Sequence, residues 1–177
     1  MKKSKLILSA MLLMVGFATY TKAQNTKTAN AGVKILKPLT LTKTANLHFG
    51  TMTIPTGNVV ITLSTYNNRT ANNPSRVTLL PQSPVATDAA YNVNGSPYAT
   101  YAITLPVNDV ITNGPGGASA LVTNFVARPN SAEENGLIGT LNGAGFDSFV
   151  VGARLNLVTL QAFGVYTGSF IVTVNYN

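Results

Sequence analysis

Hydrophobic and polar residues alternate with a period of two along most of the chain, and clusters of Gly, Pro and Asn interrupt the alternation. This period is typical of half-buried β-strands, and no segment beyond residue 23 keeps a helical period over three turns. Turn signals separate the alternating segments: "IPTGN" at 54–58, "YNNRTANNPS" at 66–75, "NGSP" at 94–97 and "NGPGG" at 113–117. We therefore predict one all-β domain, a single antiparallel β-sandwich of about nine or ten short strands.

Two segments have the most regular alternation, one near each end of the chain. Alternate side chains of a strand share one face, so we interpret both segments as candidates for strand pairing. The candidate residues are Ala29, Ala31, Val33 and Ile35 in the first segment, and Phe170, Val172, Val174 and Tyr176 in the last. We expect the terminal four to face the core, beside an edge that must be covered. Residues 29–35 of the same molecule are the favoured cover, and those of a neighbour are the alternative.

The first 23 residues have the pattern of a secretory signal peptide. "MKKSK" is basic, residues 6–17 are apolar, and "TKA" at 21–23 supplies small residues before a cleavage point at Gln24. The apolar run is shorter than the roughly 20 residues that a spanning helix needs, so we predict no membrane span. The expected organisation is a signal peptide at 1–23, an N-terminal extension or first strand at 24–37, and a β-sandwich domain at 38–177.

The signal peptide also explains most of the positive charge. The whole chain has a formal net charge of +7, but four of its lysines lie within residues 1–23. Beyond them, eight basic and five acidic residues remain, which leaves +3 spread along the chain. Nucleic-acid binding needs basic side chains clustered along a phosphate backbone. We therefore predict that nucleic acid is not a partner.

Groups that can perform catalysis are scarce. The chain has no Cys, and His48 is its only histidine, placed by alternation in a strand. We interpret His48 as structural, because a catalytic triad would have to use it. The acidic residues are Asp88, Asp109, Glu133, Glu134 and Asp147, which sit in loops or beside turns. The chain is therefore predicted not to be an enzyme, and a hydrolase that uses Glu133 or Asp147 is the least favoured hypothesis.

Binding motifs are equally sparse. No spacing of His, Cys or acidic residues matches a metal site, and "GPGG" at 114–117 lacks the lysine and helix of a phosphate-binding loop. We therefore predict no cofactor and no metal. Tyr98, beside the "NGSP" turn, falls on the face opposite Tyr101 and is the one candidate for contact with a ligand. A secreted carbohydrate- or surface-binding module is accordingly the alternative function, with a glycan as partner.

Four motifs carry a family resemblance. They are "LTKTANLHFGTM" at 41–52, "YAITLP" at 101–106, "FVVGARLNL" at 149–157 and "GVYTGSFIVTVNYN" at 164–177. Together they resemble the bacterial secreted domain-of-unknown-function family 4402. The L-x-F-G motif and the last strand are also similar, more distantly, to spore coat protein U and archaic chaperone–usher pilin domains. Those relatives usually carry cysteines near the first strand, and this chain has none.

The resemblance implies an immunoglobulin-like, pilin-like sandwich with Greek-key connections. It also implies a groove that a neighbour's N-terminal extension fills as an added strand. The expected function is then a secreted structural or surface-assembly protein whose partner is itself or a related surface subunit. The expected location is the periplasm or cell surface of a Gram-negative bacterium.

Overall fold

The computed structural model describes residues 25–177, and within them strands are nearly the only regular secondary structure. The predicted all-β fold is confirmed, whereas the predicted signal peptide at 1–23 lies outside the described residues. A single 3-10 turn, Pro74–Arg76, accompanies the strands. The strands are β1 (Thr40–Ala45), β2 (His48–Phe49), β3 (Thr51–Met52), β4 (Val59–Leu63), β5 (Arg69–Ala71), β6 (Leu79–Leu80), β7 (Ala86–Thr87), β8 (Ala89–Asn94), β9 (Thr100–Thr104), β10 (Asn108–Thr112), β11 (Ser119–Pro129), β12 (Ile138–Thr140), β13 (Phe146–Leu157) and β14 (Thr173–Tyr176).

The largest sheet is antiparallel and is organised around the twelve-residue strand β13. Its strand order is β1-β8-β13-β11-β10, and β4 and β5 join it through β13. The first half of β13 pairs with β8 and its second half pairs with β4. Side chains along β13 alternate as its sequence predicts, with Phe149, Val151 and Leu155 buried and Arg154 exposed. One long strand therefore supplies the inner wall for the whole sandwich.

Smaller sheets cover the inner face of the large one. A three-stranded sheet has the order β12-β9-β14, and two-stranded pairs form between β2 and β7 and between β3 and β6. The four strands of these pairs contain two residues each, so the segment that the sequence presents as one strand, "LHFGTMTI", is split. This splitting adds one strand, and β5, β7 and β10 form in segments that the alternation did not mark as strands, so the described residues contain fourteen strands where nine or ten are predicted.

The buried residues form two clusters, which we name by how they are covered. The covered cluster lies between the large sheet and the β12-β9-β14 sheet, and it contains Ala89, Tyr91, Val93, Tyr101, Ile103, Ala127, Leu141, Phe149 and Val151. The open cluster lies on the other half of the large sheet, and it contains Phe49, Val59, Ile61, Leu63, Val77, Ala120, Val122, Ala153, Leu155 and Leu157. The short pairs β2–β7 and β3–β6, the loop residue Val77 and a strandless segment near the C-terminus lie over the open cluster.

The N-terminal segment is not a strand, which corrects the favoured expectation that residues 29–35 pair within their own molecule. The chain divides into two units between Lys34 and Ile35. Residues 25–39 form no strand, and the side chains of Val33 and Ile35 are 85% and 86% exposed. Ala29 and Ala31 are exposed as well. Of the two expected forms of residues 24–37, the described residues have that of an extension, and the first strand is β1.

A tight turn in "LHFG" is held by an arginine. Gly50 has a φ of 77°, and a side chain there would collide with the guanidinium of Arg69. That guanidinium donates hydrogen bonds to the carbonyl oxygens of Phe49 (2.8 Å), Thr51 (3.0 Å) and Leu80 (2.7 Å). Arg69 thus ties β2, β3 and β6 together, because their two-residue ladders alone provide few hydrogen bonds.

A buried carboxyl group joins the two layers around the covered cluster. Asp147 is only 5% exposed, so it is not merely a turn residue as the sequence indicated. Its Oδ2 accepts hydrogen bonds from the hydroxyls of Tyr101 (2.9 Å) and Ser131 (2.6 Å), and its Oδ1 accepts one from the Ser148 amide (2.8 Å). Burial first, and then the neighbouring Asp147 charge and hydrogen bond, raise the pKa of Tyr101 far above its ordinary value.

The role of Arg69 is testable by a conservative substitution. Lysine keeps the charge but cannot make all three hydrogen bonds, so we expect Arg69→Lys to lower the free energy of unfolding by about 1.5–3 kcal/mol. Urea denaturation followed by circular dichroism measures this change. The matched control is Arg154→Lys, on the exposed face of β13, which should change stability by less than about 0.5 kcal/mol. Equal effects of the two substitutions would contradict the structural role of Arg69.

The Tyr101 phenol makes stability depend on alkaline pH. In the unfolded chain a tyrosine loses its proton near its ordinary pKa of 10.0, whereas folded Tyr101 keeps it. The folded state therefore binds more protons above this pH, and the free energy of unfolding must fall as pH rises further. We expect Tyr101→Phe to reduce this alkaline loss while lowering stability at pH 7 by about 1–3 kcal/mol. Denaturation series between pH 7 and 11 test both effects, and an unchanged alkaline slope would refute the assignment.

Candidate functional site

An apolar cavity of about 630 Å³ lies over the open cluster. Its floor is formed by inward side chains of β11 and β13, among them Val122, Leu155 and Leu157. These side chains belong to the buried core, yet here they face a space large enough for several additional side chains. A volume between about 300 and 1,000 Å³ is typical of sites that accept a ligand. We call this space the acceptor cavity.

Two segments form the side walls of the acceptor cavity. Residues 46–55, which include β2 and β3, form one wall, and residues 161–170 form the other. In residues 25–177, no strand pairing joins the two walls to each other. The second layer of the sandwich is therefore interrupted where the walls face each other across the open cluster.

The terminal strand β14 begins only at Thr173, after the strand-pairing candidates Phe170 and Val172, and the wall at 161–170 is not a regular strand. It is fastened to the large sheet instead. The Gln161 side chain donates to the carbonyl of Ser119 (3.0 Å), and Thr167 forms a bridge with Thr112 of β10. A Cβ at Gly168 would lie 2.8 Å from the backbone oxygen of Val110. The glycine of "YTGSF" thus allows the chain to pass close to β10 before it reaches β14.

The rim of the acceptor cavity exposes large apolar side chains. Phe163 is 84% exposed, Val165 is 81% exposed and Ile54 is 48% exposed, and all three line the cavity. Single exposed apolar residues are normal on protein surfaces, whereas a group around an apolar cavity indicates an interaction site. The rim and the floor together therefore favour an apolar partner.

Strand β14 continues from this wall and has one unpaired edge. It pairs with β9 from Thr173 to Tyr176, and in the described part of the chain no strand lies on its other side. Four alternate side chains of the terminal segment pack against the covered cluster and are half-buried: Phe170, Val172, Val174 and Tyr176. Ile171 on the opposite face is 79% exposed. The unpaired backbone of β14 is a place where another strand can add.

Charged side chains are few at the acceptor cavity, although neutral polar ones such as Thr51, Gln161 and Ser169 also line it. Lys43 and Asp109 line it, and His48 lies in its wall. The Nδ1 atom of His48 accepts a hydrogen bond from the Gly50 amide (2.8 Å), so this nitrogen is occupied in shaping the "LHFG" turn. The cavity therefore combines an apolar floor with backbone edges rather than with a cluster of reactive groups.

The remaining acidic residues do not form a site. Glu133 and Glu134 are exposed in the loop after β11, and Asp109 accepts a hydrogen bond from the Val110 amide next to it (2.8 Å). Burial raises the pKa of Asp88, against the opposing effects of a backbone hydrogen bond and the charge of Arg128. Within residues 25–177, no three His, Asp or Glu side chains are grouped closely enough to hold a metal ion.

Tyr98 lies apart from the acceptor cavity, on the turn that follows β8. Its side chain is 77% exposed, and its φ of 59° places the backbone in the left-handed region. Its amide donates to the carbonyl of Asn142 (3.3 Å), and its ring lies against Gly143. Tyr98 is not among the residues that line the acceptor cavity.

Three hydrogen bonds that were not predicted from the sequence fix Lys37, at the C-terminal end of the extension. The Tyr176 hydroxyl donates to the carbonyl of Lys37 (2.8 Å) and accepts from the Ser96 amide (2.7 Å), while the Lys37 amide donates to the Ser96 hydroxyl (2.7 Å). We call these three hydrogen bonds the latch. The residues lie 59 to 139 positions apart, so no local pattern could have shown the contact. The only signal was a tyrosine that ends an alternating strand, where the inner position is usually apolar.

Comparison with known proteins gives a family but no function. No helix among the described residues is both long and apolar enough to cross a membrane. No curated protein and no solved structure matches the chain. The similarity to spore coat protein U and pilin domains therefore stays a prediction. The family model described as "Domain of unknown function (DUF4402)" matches residues 39–176, which contain every strand of the sandwich. The chain thus belongs to the DUF4402 family.

Proposed function

We propose that this protein is a secreted, non-enzymatic structural subunit that assembles at the cell surface by accepting a β-strand from a neighbouring copy. The observation that carries the proposal is the acceptor cavity, an apolar gap in the second layer of an otherwise closed sandwich. Apolar core surface in contact with water is unfavourable, at roughly 25 cal/mol per Å². A partner that fills the gap therefore gains the free energy that the isolated domain lacks.

An added strand suits this cavity better than a small molecule. The cavity lies between two walls, residues 46–55 and residues 161–170, and the second wall is followed three residues later by β14, which has an unpaired edge. A strand can place alternate side chains on the apolar floor while its backbone pairs with an open edge. A compact ligand would satisfy the floor but would leave the backbone edge of β14 unpaired.

The occupant that we favour is the extension of a second copy, residues 26–36, "TKTANAGVKIL". Its apolar residues recur with the period of two that a strand requires. Val33 and Ile35 are more than four-fifths exposed in their own chain. Burying each of them would contribute about 1.5–3 kcal/mol before the cost of ordering the segment. Lys34 lies between them, on the face that an added strand would turn to solvent.

The histidine and the acidic side chains discussed above are either hydrogen-bonded within the fold or exposed in a loop, which supports a structural function. His48 accepts a backbone hydrogen bond, and the carboxyl of Asp147 accepts hydrogen bonds from two hydroxyls and an amide. Glu133 and Glu134 are exposed in a loop. The proposed location, the periplasm or the cell surface, rests on the signal-peptide pattern at residues 1–23.

A second candidate function is the binding of a glycan at Tyr98. The observation in its favour is an exposed aromatic ring on a residue held in the left-handed region, a conformation that is costly for tyrosine. Such strained residues are found disproportionately at functional sites. Stacking on one exposed ring gives weak binding, so we rank this function below strand addition.

The strand-addition proposal predicts that assembly depends on one face of the extension. In the chain without its signal peptide, Val33→Ser/Ile35→Ser should weaken self-association about 100-fold or more, because two apolar anchors are lost. Analytical ultracentrifugation over a range of concentrations measures the change. The matched control is Lys34→Ser on the opposite face, which should leave association within a few-fold of wild type. Equal association of all three proteins would contradict the proposal.

The glycan candidate is tested separately. If Tyr98 is a binding platform, the wild-type chain should retain sugars on a glycan array and Tyr98→Ala should lose them. Because Tyr98 is exposed, this substitution should leave the fold intact, which circular dichroism can verify. No retention of any sugar by the wild-type chain would remove this candidate and would leave strand addition unaffected.

A further inference from the structure

The latch joins the two ends of the described domain at a point away from the acceptor cavity. Tyr176 is the penultimate residue of the chain, and Lys37 lies between the extension and β1. Ser96, in the "NGSP" turn after β8, bonds to both of them. Two of the three hydrogen bonds use the Tyr176 hydroxyl, and the third uses the Ser96 hydroxyl. The position of Lys37 is therefore set by side chains and not by a strand ladder.

The acceptor cavity begins some distance from this latch along both of its neighbouring strands. Phe170 is the cavity residue nearest to Tyr176 along the terminal segment, six residues before it. Lys43 is the first cavity residue after Lys37, again six residues away. Lys43 and its partner Tyr91, which also lines the cavity, lie three rungs from the Thr40–Asn94 end of the β1–β8 ladder, or about 10 Å at 3.3 Å per residue. Lys37 and Ser96 lie beyond that end of the ladder, so the cavity starts more than about 10 Å from the fixed point at Lys37.

Chain length then limits what the extension can reach within its own molecule. Val33 lies four residues before Lys37 and Ile35 lies two before it. Even fully extended, these residues reach only about 14 Å and 7 Å from Lys37. Ala29 and Ala31 can span the distance, but their side chains bury little apolar surface. While the latch holds Lys37, Ile35 therefore cannot reach its own acceptor cavity and Val33 reaches at most its near end, so the two large anchors cannot both enter it.

We propose that Tyr176 and Ser96 are positioning residues that prevent self-insertion and so direct the extension to another copy. This inference rests on the proposed strand addition, because it concerns whether the extension enters the acceptor cavity of its own molecule or that of a neighbouring copy. A neighbouring molecule imposes no such limit of length on the extension. The latch thereby favours head-to-tail assembly, in which each copy gives one strand and receives one, and such a contact repeats from copy to copy.

The test compares peptide binding by full chains with and without the latch. Tyr176→Phe/Ser96→Ala removes all three hydrogen bonds and keeps the aromatic ring that packs on the covered cluster. The probe is a fluorescent peptide of residues 26–36, added to mature chain at concentrations where that chain is monomeric. In the double variant, the released extension competes with the peptide for the acceptor cavity of its own molecule, at an effective concentration of about 1 mM. The double variant should therefore bind the peptide at least about tenfold more weakly than wild type.

A second pair of proteins separates this inference from the proposed function. With Val33→Ser/Ile35→Ser in both, the extension cannot compete, and chains with and without the latch should bind the peptide equally. If the chain without the latch still binds the peptide more weakly than the chain with the latch in this background, Tyr176 and Ser96 shape the cavity itself. That result would overturn the inference. Equal binding of wild type and double variant would also overturn it and would leave strand addition standing. No binding by any protein would overturn both proposals.

Discussion

The fold and the proposed site both depend on how the apolar inner face of the large sheet is covered from water. Strand β13 carries inward side chains along its whole length, so the sheet presents apolar surface over two adjacent areas. The sheet β12-β9-β14 covers one of them fully, as the 0% exposure of Tyr101 and Val93 shows. The other is covered by two-residue strand pairs and by the strandless segment 161–170, and the acceptor cavity is the part that they leave open.

Polar side chains hold the segments that strand ladders do not. Arg69 fastens β2, β3 and β6 through three carbonyl oxygens, and Gln161 fastens the opposite wall to β11. The latch fixes Lys37, at the C-terminal end of the extension, in the same way. The walls of the acceptor cavity are therefore held in place from outside, which preserves the gap between them. A preformed gap lowers the cost of binding, because less of the site must be ordered when a partner arrives.

Local patterns were sufficient for the class of fold and for the inner face of the terminal segment. Period-two alternation predicts all-β structure, and it identifies Phe170, Val172, Val174 and Tyr176 as sharing one face. Alternation did not predict whether a segment finds a partner strand. Residues 29–35 have the pattern of a strand and form none, and residues 164–172 pass along β10 with one bridge instead of a ladder. Pairing depends on what lies beside the segment, which a single sequence does not contain.

The site itself was predictable only in part, for the same reason. The eight strand-pairing candidates were visible as patterns, but the acceptor cavity is an arrangement of strands that are distant in sequence. The structural roles of Arg69 and Asp147 were not visible in the sequence, because the partners that join them to other strands lie 11 to 46 positions away. The latch contains the longest separation of all, between Lys37 and Tyr176.

The central claim is that a strand enters the acceptor cavity and pairs at its edges. Hydrogen exchange of the full chain, followed by mass spectrometry with and without the peptide of residues 26–36, tests this location directly. The account predicts that the bound peptide slows exchange in residues 161–176 and in the wall at 46–55, while amides of β5 are unchanged. Binding of the peptide without slower exchange in either wall would contradict the account.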